Sequence, residues 1–155
     1  MSGGKHREVL TATREVLEPE IDRLAERIGA GGLSVVGFDP YVDGGAPYID
    51  ITPDGELHWI VKERGRLLEH RTTHDPDELL YWSFVLATST LASTWEARHR
   101  DESQDFRVLM WAKQGELLHR LNPVWAQRWR RELAARQPQD IGLLPVLPPA
   151  LSDTP

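Results

Sequence analysis

The sequence contains no cysteine, which excludes disulfide bonds, thiolate zinc sites and cysteine nucleophiles. Its longest apolar-rich stretch, residues 79–87, is far shorter than the roughly 20 apolar residues that a membrane-spanning helix needs. The first seven residues are polar and lack the apolar core of a secretory signal. These absences predict a protein of a reducing compartment, so we expect a cytoplasmic location and no membrane partner.

Sequence motifs of common enzymes are missing as well. The glycines at 29, 31 and 32 lack the GxGxxG spacing of a nucleotide-binding turn, and no GxSxG nucleophile motif is present. The net charge of −6 repels phosphate backbones and disfavours nucleic-acid binding. We therefore expect no cofactor and no nucleic-acid partner.

Composition and length are those of one globular domain. The chain has 155 residues, of which 40% are hydrophobic and 27% charged, enough to form a core. After Gln137 it becomes rich in proline, which excludes a regular helix. We predict one domain over residues 1–136 and a proline-rich tail over 137–155 that is either extended along the domain surface or disordered.

Three antiparallel strands are the clearest structural signal. They are predicted near residues 47–52, 56–63 and 66–73. A three-residue loop with a left-handed Gly55 pairs Ile51 with Leu57 and Ile49 with Trp59. A two-residue turn at Arg64-Gly65 sets the register of the second hairpin. It predicts three cross-strand pairs, Glu63 with Arg66, Val61 with Leu68 and Trp59 with His70. This register places His58 and His70 on opposite faces, and residues 34–38 are a candidate fourth strand.

Helices are predicted on both sides of this meander. Apolar residues recur at helical spacing over residues 8–28, with Pro19 as a point where the helix bends or divides. Asp75 and Asn122 each precede a proline and are predicted N-caps, and another helix is expected over 104–120. The predicted fold class is α+β: an N-terminal helix, a three- to four-stranded antiparallel meander, then three helices packed on one sheet face.

An uninterrupted acidic stretch is the feature most suggestive of function. From residue 39 to residue 56 every charged residue is acidic, and tyrosines lie among them. Such a surface attracts a basic protein partner and anchors it through aromatic rings, although a solvated acidic face has the same composition. The predicted partner-binding residues are Asp39, Tyr41, Asp43, Tyr48, Asp54 and Glu56.

Two other groups of polar residues are candidate sites. His70 and His74 are four residues apart, a spacing that can hold zinc on a helix, but they fall on a strand end and a loop. His58 is predicted to point to the face opposite His70, so we predict no metal site. Glu96, His99 and Asp105 belong to a cluster in which Glu96 can pair with Arg100 and His99 with Asp105. That cluster is either a structural network at a helix–helix turn or the catalytic group of a small hydrolase or metal-dependent enzyme.

Short motifs between residues 48 and 126 resemble the immunity protein 63 family of bacterial polymorphic toxin systems. They are Tyr48 to Ile51, Glu63 to Gly65, Glu69 to Thr73, Asp77 to Trp82, the polar residues Glu96, His99, Arg100, Gln104, Asp105 and Arg107, and Leu121 to Pro123 with Trp125-Ala126. The resemblance implies a non-enzymatic protein that binds and inhibits a cognate toxin. It identifies no toxin-contact residues and no oligomeric state, and a structural adaptor without a toxin partner stays an alternative.

Overall fold

The computed structural model describes residues 2–31, 35–38 and 46–148. In this part of the chain, one helix precedes and several helices follow, in sequence, a three-stranded antiparallel sheet of order β1-β2-β3. This confirms the α+β class with three strands. The elements are α1 (Ser2–Arg27), β1 (Pro47–Ile51), β2 (Leu57–Glu63), β3 (Arg66–Thr73), α2 (Pro76–Arg98), α3 (Phe106–Leu121), α4 (Pro123–Arg136) and a 3-10 helix (Pro138–Leu143).

The N-terminal helix runs through Pro19 without dividing. Of the candidate fourth strand, residues 35–38 make a single parallel bridge, between Gly37 and Tyr48, so they cover part of the outer edge of β1 without forming a strand. The backbone hydrogen bonds there join Gly37 N to Pro47 O over 3.1 Å and Ile49 N to Gly37 O over 2.8 Å. The chain forms two compact units, residues 1–83 and 84–155, whose boundary falls inside α2.

Within the first unit, Trp59 joins β2 to the first turns of α2. Its indole Nε1 donates to Ser83 Oγ over 3.2 Å, and that hydroxyl donates to Leu79 O over 2.9 Å. Trp59 and Ser83 are both buried, so these bonds leave their polar atoms satisfied. The Trp82 ring lies 6.4 Å from the Trp59 ring. Removing such a buried indole typically costs about 3–5 kcal/mol.

The register of the first hairpin is as predicted, whereas that of the second is shifted by one residue. Ile51 pairs with Leu57 and Ile49 with Trp59, and Gly55 has a φ of 86°. The second hairpin begins as predicted with Glu63 opposite Arg66.

A bulge between Val61 and Lys62 then leaves Leu68 of β3 without a partner. Because an extra residue turns the rest of the strand over, Trp59 pairs with Arg71 and not with His70, and the predicted Val61–Leu68 pair is wrong. His70 moves to the face of His58, and Arg71 moves to the face of Trp59.

The second unit is built on buried residues of α2, α3 and α4. Phe84 is fully buried and stacks on Trp125 with ring centroids 6.2 Å apart. Gln114 of α3 donates through Nε2 to Val85 O over 3.0 Å, which satisfies a buried amide. The predicted caps are present: Asp75 Oδ1 accepts from Asp77 N, and Asn122 Oδ1 accepts from Val124 N.

The described part of the proline-rich segment packs against α3 and α4. Arg130 Nε donates to Pro145 O over 2.7 Å, and Gln127 Nε2 donates to Pro148 O over 2.9 Å. A Cβ at Gly115 would stand 2.8 Å from Leu147 Cδ2, so the glycine permits this close approach. The segment to residue 148 therefore lies along the surface of the unit, while the domain boundary at 136 stays a prediction. Among the described helices, none has the length and apolar character that crossing a bilayer requires.

The Arg64-Gly65 turn gives a direct test of the β2–β3 hairpin. Both residues have positive φ, 52° and 73°. We expect Gly65→Ala to lower the free energy of unfolding by about 1–2 kcal/mol, because alanine is strained in the left-handed region. We expect Arg64→Asn to raise it by a few tenths of a kcal/mol, because asparagine tolerates that region better.

Urea denaturation measures both changes. Gly142→Ala is the matched control, since nothing lies within 4 Å of the added Cβ and the backbone there is not left-handed. Equal effects of alanine at 65 and 142 would contradict the turn geometry.

Candidate functional site

The turn between β1 and β2 carries two of the predicted partner-binding residues, Asp54 and Glu56, and Thr52 binds the carboxylate of the first and the backbone of the second. Thr52 Oγ1 donates to the Asp54 carboxylate and accepts from Glu56 N over 3.1 Å. The Thr52 hydroxyl bond lowers the pKa of Asp54. The Asp54 side chain is 61% exposed and that of Glu56 34%. We call residues 52–56 the acidic turn; it presents charged groups at the surface without needing to be ordered first.

Two histidines lie next to the acidic turn, His58 on β2 and His70 on β3. Glu56 Oε1 lies 2.7 Å from His58 Nε2, though not in line for a hydrogen bond, and His58 Nδ1 lies 2.7 Å from His70 Nε2. One ring must donate and the other accept, so at least one of the two nitrogens carries no proton. The expectation that these histidines face opposite ways is wrong, because the bulge in β3 brings His70 to the His58 side. Glu56, His58 and His70 form the histidine row.

The histidine row is not arranged as a metal centre. His74 Nε2 lies 3.8 Å from Asp54 Oδ2, and its side chain is 62% exposed. In the part of the chain that the structure describes, no three His, Asp or Glu side chains converge in a way that could hold a metal ion. The row links strands β2 and β3 beside the acidic turn through the contact between His58 and His70.

Tyr48 is placed differently from the two carboxylates. Its ring is only 5% exposed, with Lys62 Nζ 5.9 Å from the ring centroid. A ring so enclosed contributes to the core, and we leave it out of the contact surface. Asp39, Tyr41 and Asp43 lie outside the described residues, so their role stays a prediction.

The polar cluster near the end of α2 consists of two separate arrangements. Glu96 is 3% exposed, and both its oxygens accept from Arg100, over 3.1 and 3.0 Å, which confirms the expected pairing. His99 stacks on Trp95, with ring centroids 4.3 Å apart, and its Nδ1 donates to Trp95 O over 2.8 Å. The predicted bond from His99 to Asp105 is wrong, because Asp105 accepts from Arg107 instead.

Asp105 instead begins α3 and binds Arg107. It accepts from Arg107 N over 3.0 Å as an N-cap and from the Arg107 guanidinium over 3.0 and 2.8 Å. Arg107 also donates to Asp140 Oδ2 over 2.9 Å, which ties the start of α3 to the 3-10 helix. The Arg107 bonds lower the pKa of Asp105 to about 2 and raise the pKa of Arg107. Sequence reasoning missed Asp140, because a pairing over 33 positions leaves no periodic signal.

The Asp105–Arg107 pair makes stability depend on pH in a defined direction. The folded-state pKa of Asp105, about 2, lies below the ordinary value of 3.8, so its contribution is complete well above pH 4 and is lost as the pH falls towards 2. We expect Asp105→Asn to keep the N-cap, lose the ion pair and lower the free energy of unfolding at pH 7.

Urea denaturation of the wild-type chain and of the variant at several pH values between 2 and 7 measures this difference. It should shrink as the pH falls from 4 to 2. A difference that stays constant over this range would contradict the assignment of the low pKa to the ion pair.

The comparisons with known proteins identify one relationship. The family model described as immunity protein 63 matches residues 54–135, more than half of the chain. No curated protein and no solved structure gives a significant match. The matched region begins at Asp54 and includes the acidic turn from that residue on, the histidine row, and the Glu96–Arg100 and Asp105–Arg107 pairs.

Proposed function

The chain belongs to the immunity protein 63 family, and from this premise we propose that it neutralises a cognate toxin of a bacterial polymorphic toxin system by binding it stoichiometrically. Membership implies a toxin as the partner in general. The specific proposal is that binding occludes or distorts the active site of that toxin, and that the chain itself catalyses no reaction.

The ordered backbone of the acidic turn is the observation on which the proposed contact surface rests. Thr52 binds the Asp54 carboxylate and the backbone N–H of Glu56, so little backbone entropy is lost when a partner binds this turn. They end a stretch of 18 residues, 39–56, without a basic residue. A surface whose charged groups are all negative raises the association rate with a basic partner and disfavours binding of acidic ones.

The partners of the Glu96 cluster favour inhibition over catalysis. Both carboxylate oxygens of Glu96 are engaged by Arg100, and Glu96 is 3% exposed. A general base must reach a substrate proton within hydrogen-bond distance. Asp105 is already bound to Arg107, so two of the three groups of the predicted catalytic cluster are held by arginines. These contacts support the reading of this cluster as a structural network.

Charge reversal on the proposed surface tests this function. We expect Asp39→Lys, Asp43→Lys, Asp54→Lys and Glu56→Lys in one chain to weaken binding of the cognate toxin at least tenfold at low salt. The effect should shrink as salt rises, because screening removes long-range attraction. Surface plasmon resonance measures the affinity, and urea denaturation checks that the variant is folded.

The matched control reverses Asp22 and Glu26, two exposed carboxylates of α1, together with Glu132 and Glu116 of the second unit. It changes the net charge by the same amount away from the acidic turn, so its affinity should stay within about threefold of wild type. Unchanged affinity of the surface variant, or equal loss in both, would reject this surface. Survival of cells that co-express the toxin gives the biological readout.

A further inference from the structure

Among the strands of the described sheet, β3 has the most exposed residues. Six of its eight residues are exposed, including Leu67 and Leu68 at 57% and 56%. In the described part of the chain β3 pairs with β2 alone, whereas β1 is bridged on its outer side by Gly37. Every second residue of such an edge directs its N–H and C=O groups away from its neighbour, so the edge is a template for another strand.

The charges on β3 are self-complementary about its centre. Glu69 and Arg71 flank His70, and both lie on the Trp59 face, where Glu69 is opposite Val61 and Arg71 opposite Trp59. Their side chains are 38% and 45% exposed and form an ion pair with each other, while the Arg71 guanidinium lies over the Trp59 and Trp82 rings. A second copy of β3 placed antiparallel about His70 would put each Glu69 opposite the Arg71 of the other chain.

Neighbouring registers lack this match. If the twofold axis passes through residue 69 instead of residue 70, Glu69 lies opposite Glu69 of the other copy. If the axis passes midway between residues 68 and 69, Arg66 lies opposite Arg71. Like charges directly opposite one another destabilise a strand pair, whereas opposite charges stabilise it. Edge charges often prevent sheet association; on β3 their order instead favours one symmetric register.

We propose that two copies of this chain associate through antiparallel pairing of their β3 strands about a twofold axis at His70. The three-stranded sheets then continue into one six-stranded sheet. The regular register covers the residues next to His70, because Leu68 is the bulged residue of each copy. The acidic turn joins β1 to β2 and lies near the end of β3, where His74 Nε2 is 3.8 Å from Asp54 Oδ2, so the pairing is tested without toxin.

Single cysteines test the geometry cleanly, because the natural sequence has none. In the proposed dimer His70→Cys places two thiols directly across the axis, about 5 Å apart at Cβ. Arg66→Cys, the matched control on the same strand, places them about 27 Å apart, eight residues at about 3.4 Å each. A short bismaleimide should cross-link the first variant at least tenfold more than the second, by denaturing gel electrophoresis.

Charge variants test the register without relying on the native histidine. Glu69→Arg chains carry two arginines at the axis and Arg71→Glu chains carry two glutamates, so each should be a monomer by sedimentation at concentrations where the wild type is dimeric. A one-to-one mixture restores both cross-strand pairs and should sediment as a heterodimer. Glu132→Arg is the control and should leave the wild-type dimer unchanged.

A wild-type chain that stays monomeric up to about 100 μM, equal cross-linking at 66 and 70, or a mixture that stays monomeric would each overturn the proposal. Urea denaturation of each variant separates loss of pairing from loss of folding. The measurement needs no toxin, so its failure leaves the proposed inhibition untouched, and failure of toxin binding leaves the dimer untouched.

Discussion

The bulge in β3 determines which side chains each face of the sheet presents. Leu68 is the extra residue, and beyond it every side chain of the strand lies on the opposite face from the one that a regular hairpin would give. His70 consequently reaches His58, and Arg71 reaches the rings of Trp59 and Trp82. The His58–His70 contact, the cation–π contacts of Arg71 and the face on which Glu69 and Arg71 lie all follow from this single irregularity.

Local signals in the sequence predicted most of the fold. Gly55, the Arg64-Gly65 turn, and the caps Asp75 and Asn122 each fix a few neighbouring residues, and the structure confirms them. The bulge escaped prediction because regular pairing would have kept Leu68 on the buried face, which the hydrophobic pattern favours, whereas the leucine is in fact exposed. The Arg107–Asp140 pair escaped because it is non-local.

The candidate site was predicted less completely than the fold. Charge order alone led to the prediction of Asp54 and Glu56, which stays a prediction, and only the structure shows that Thr52 binds the Asp54 carboxylate and the Glu56 backbone and that Glu56 lies next to His58. Composition could not tell that Tyr48 on β1 is buried while Asp54 in the following turn is exposed, because exposure depends on which face and which edge of the sheet are covered. A binding surface on a rigid hairpin suits an inhibitor, since preorganisation lowers the entropic cost of association.

The central claim is that this immunity protein acts by occupying its toxin and not by turnover. Titration of the purified cognate toxin with increasing amounts of the chain tests it most directly, at a toxin concentration far above the dissociation constant. Residual toxin activity should fall in a straight line and reach zero when one chain is present per toxin, with no further loss over time. Complete, time-dependent inactivation by a small fraction of one equivalent would contradict the claim.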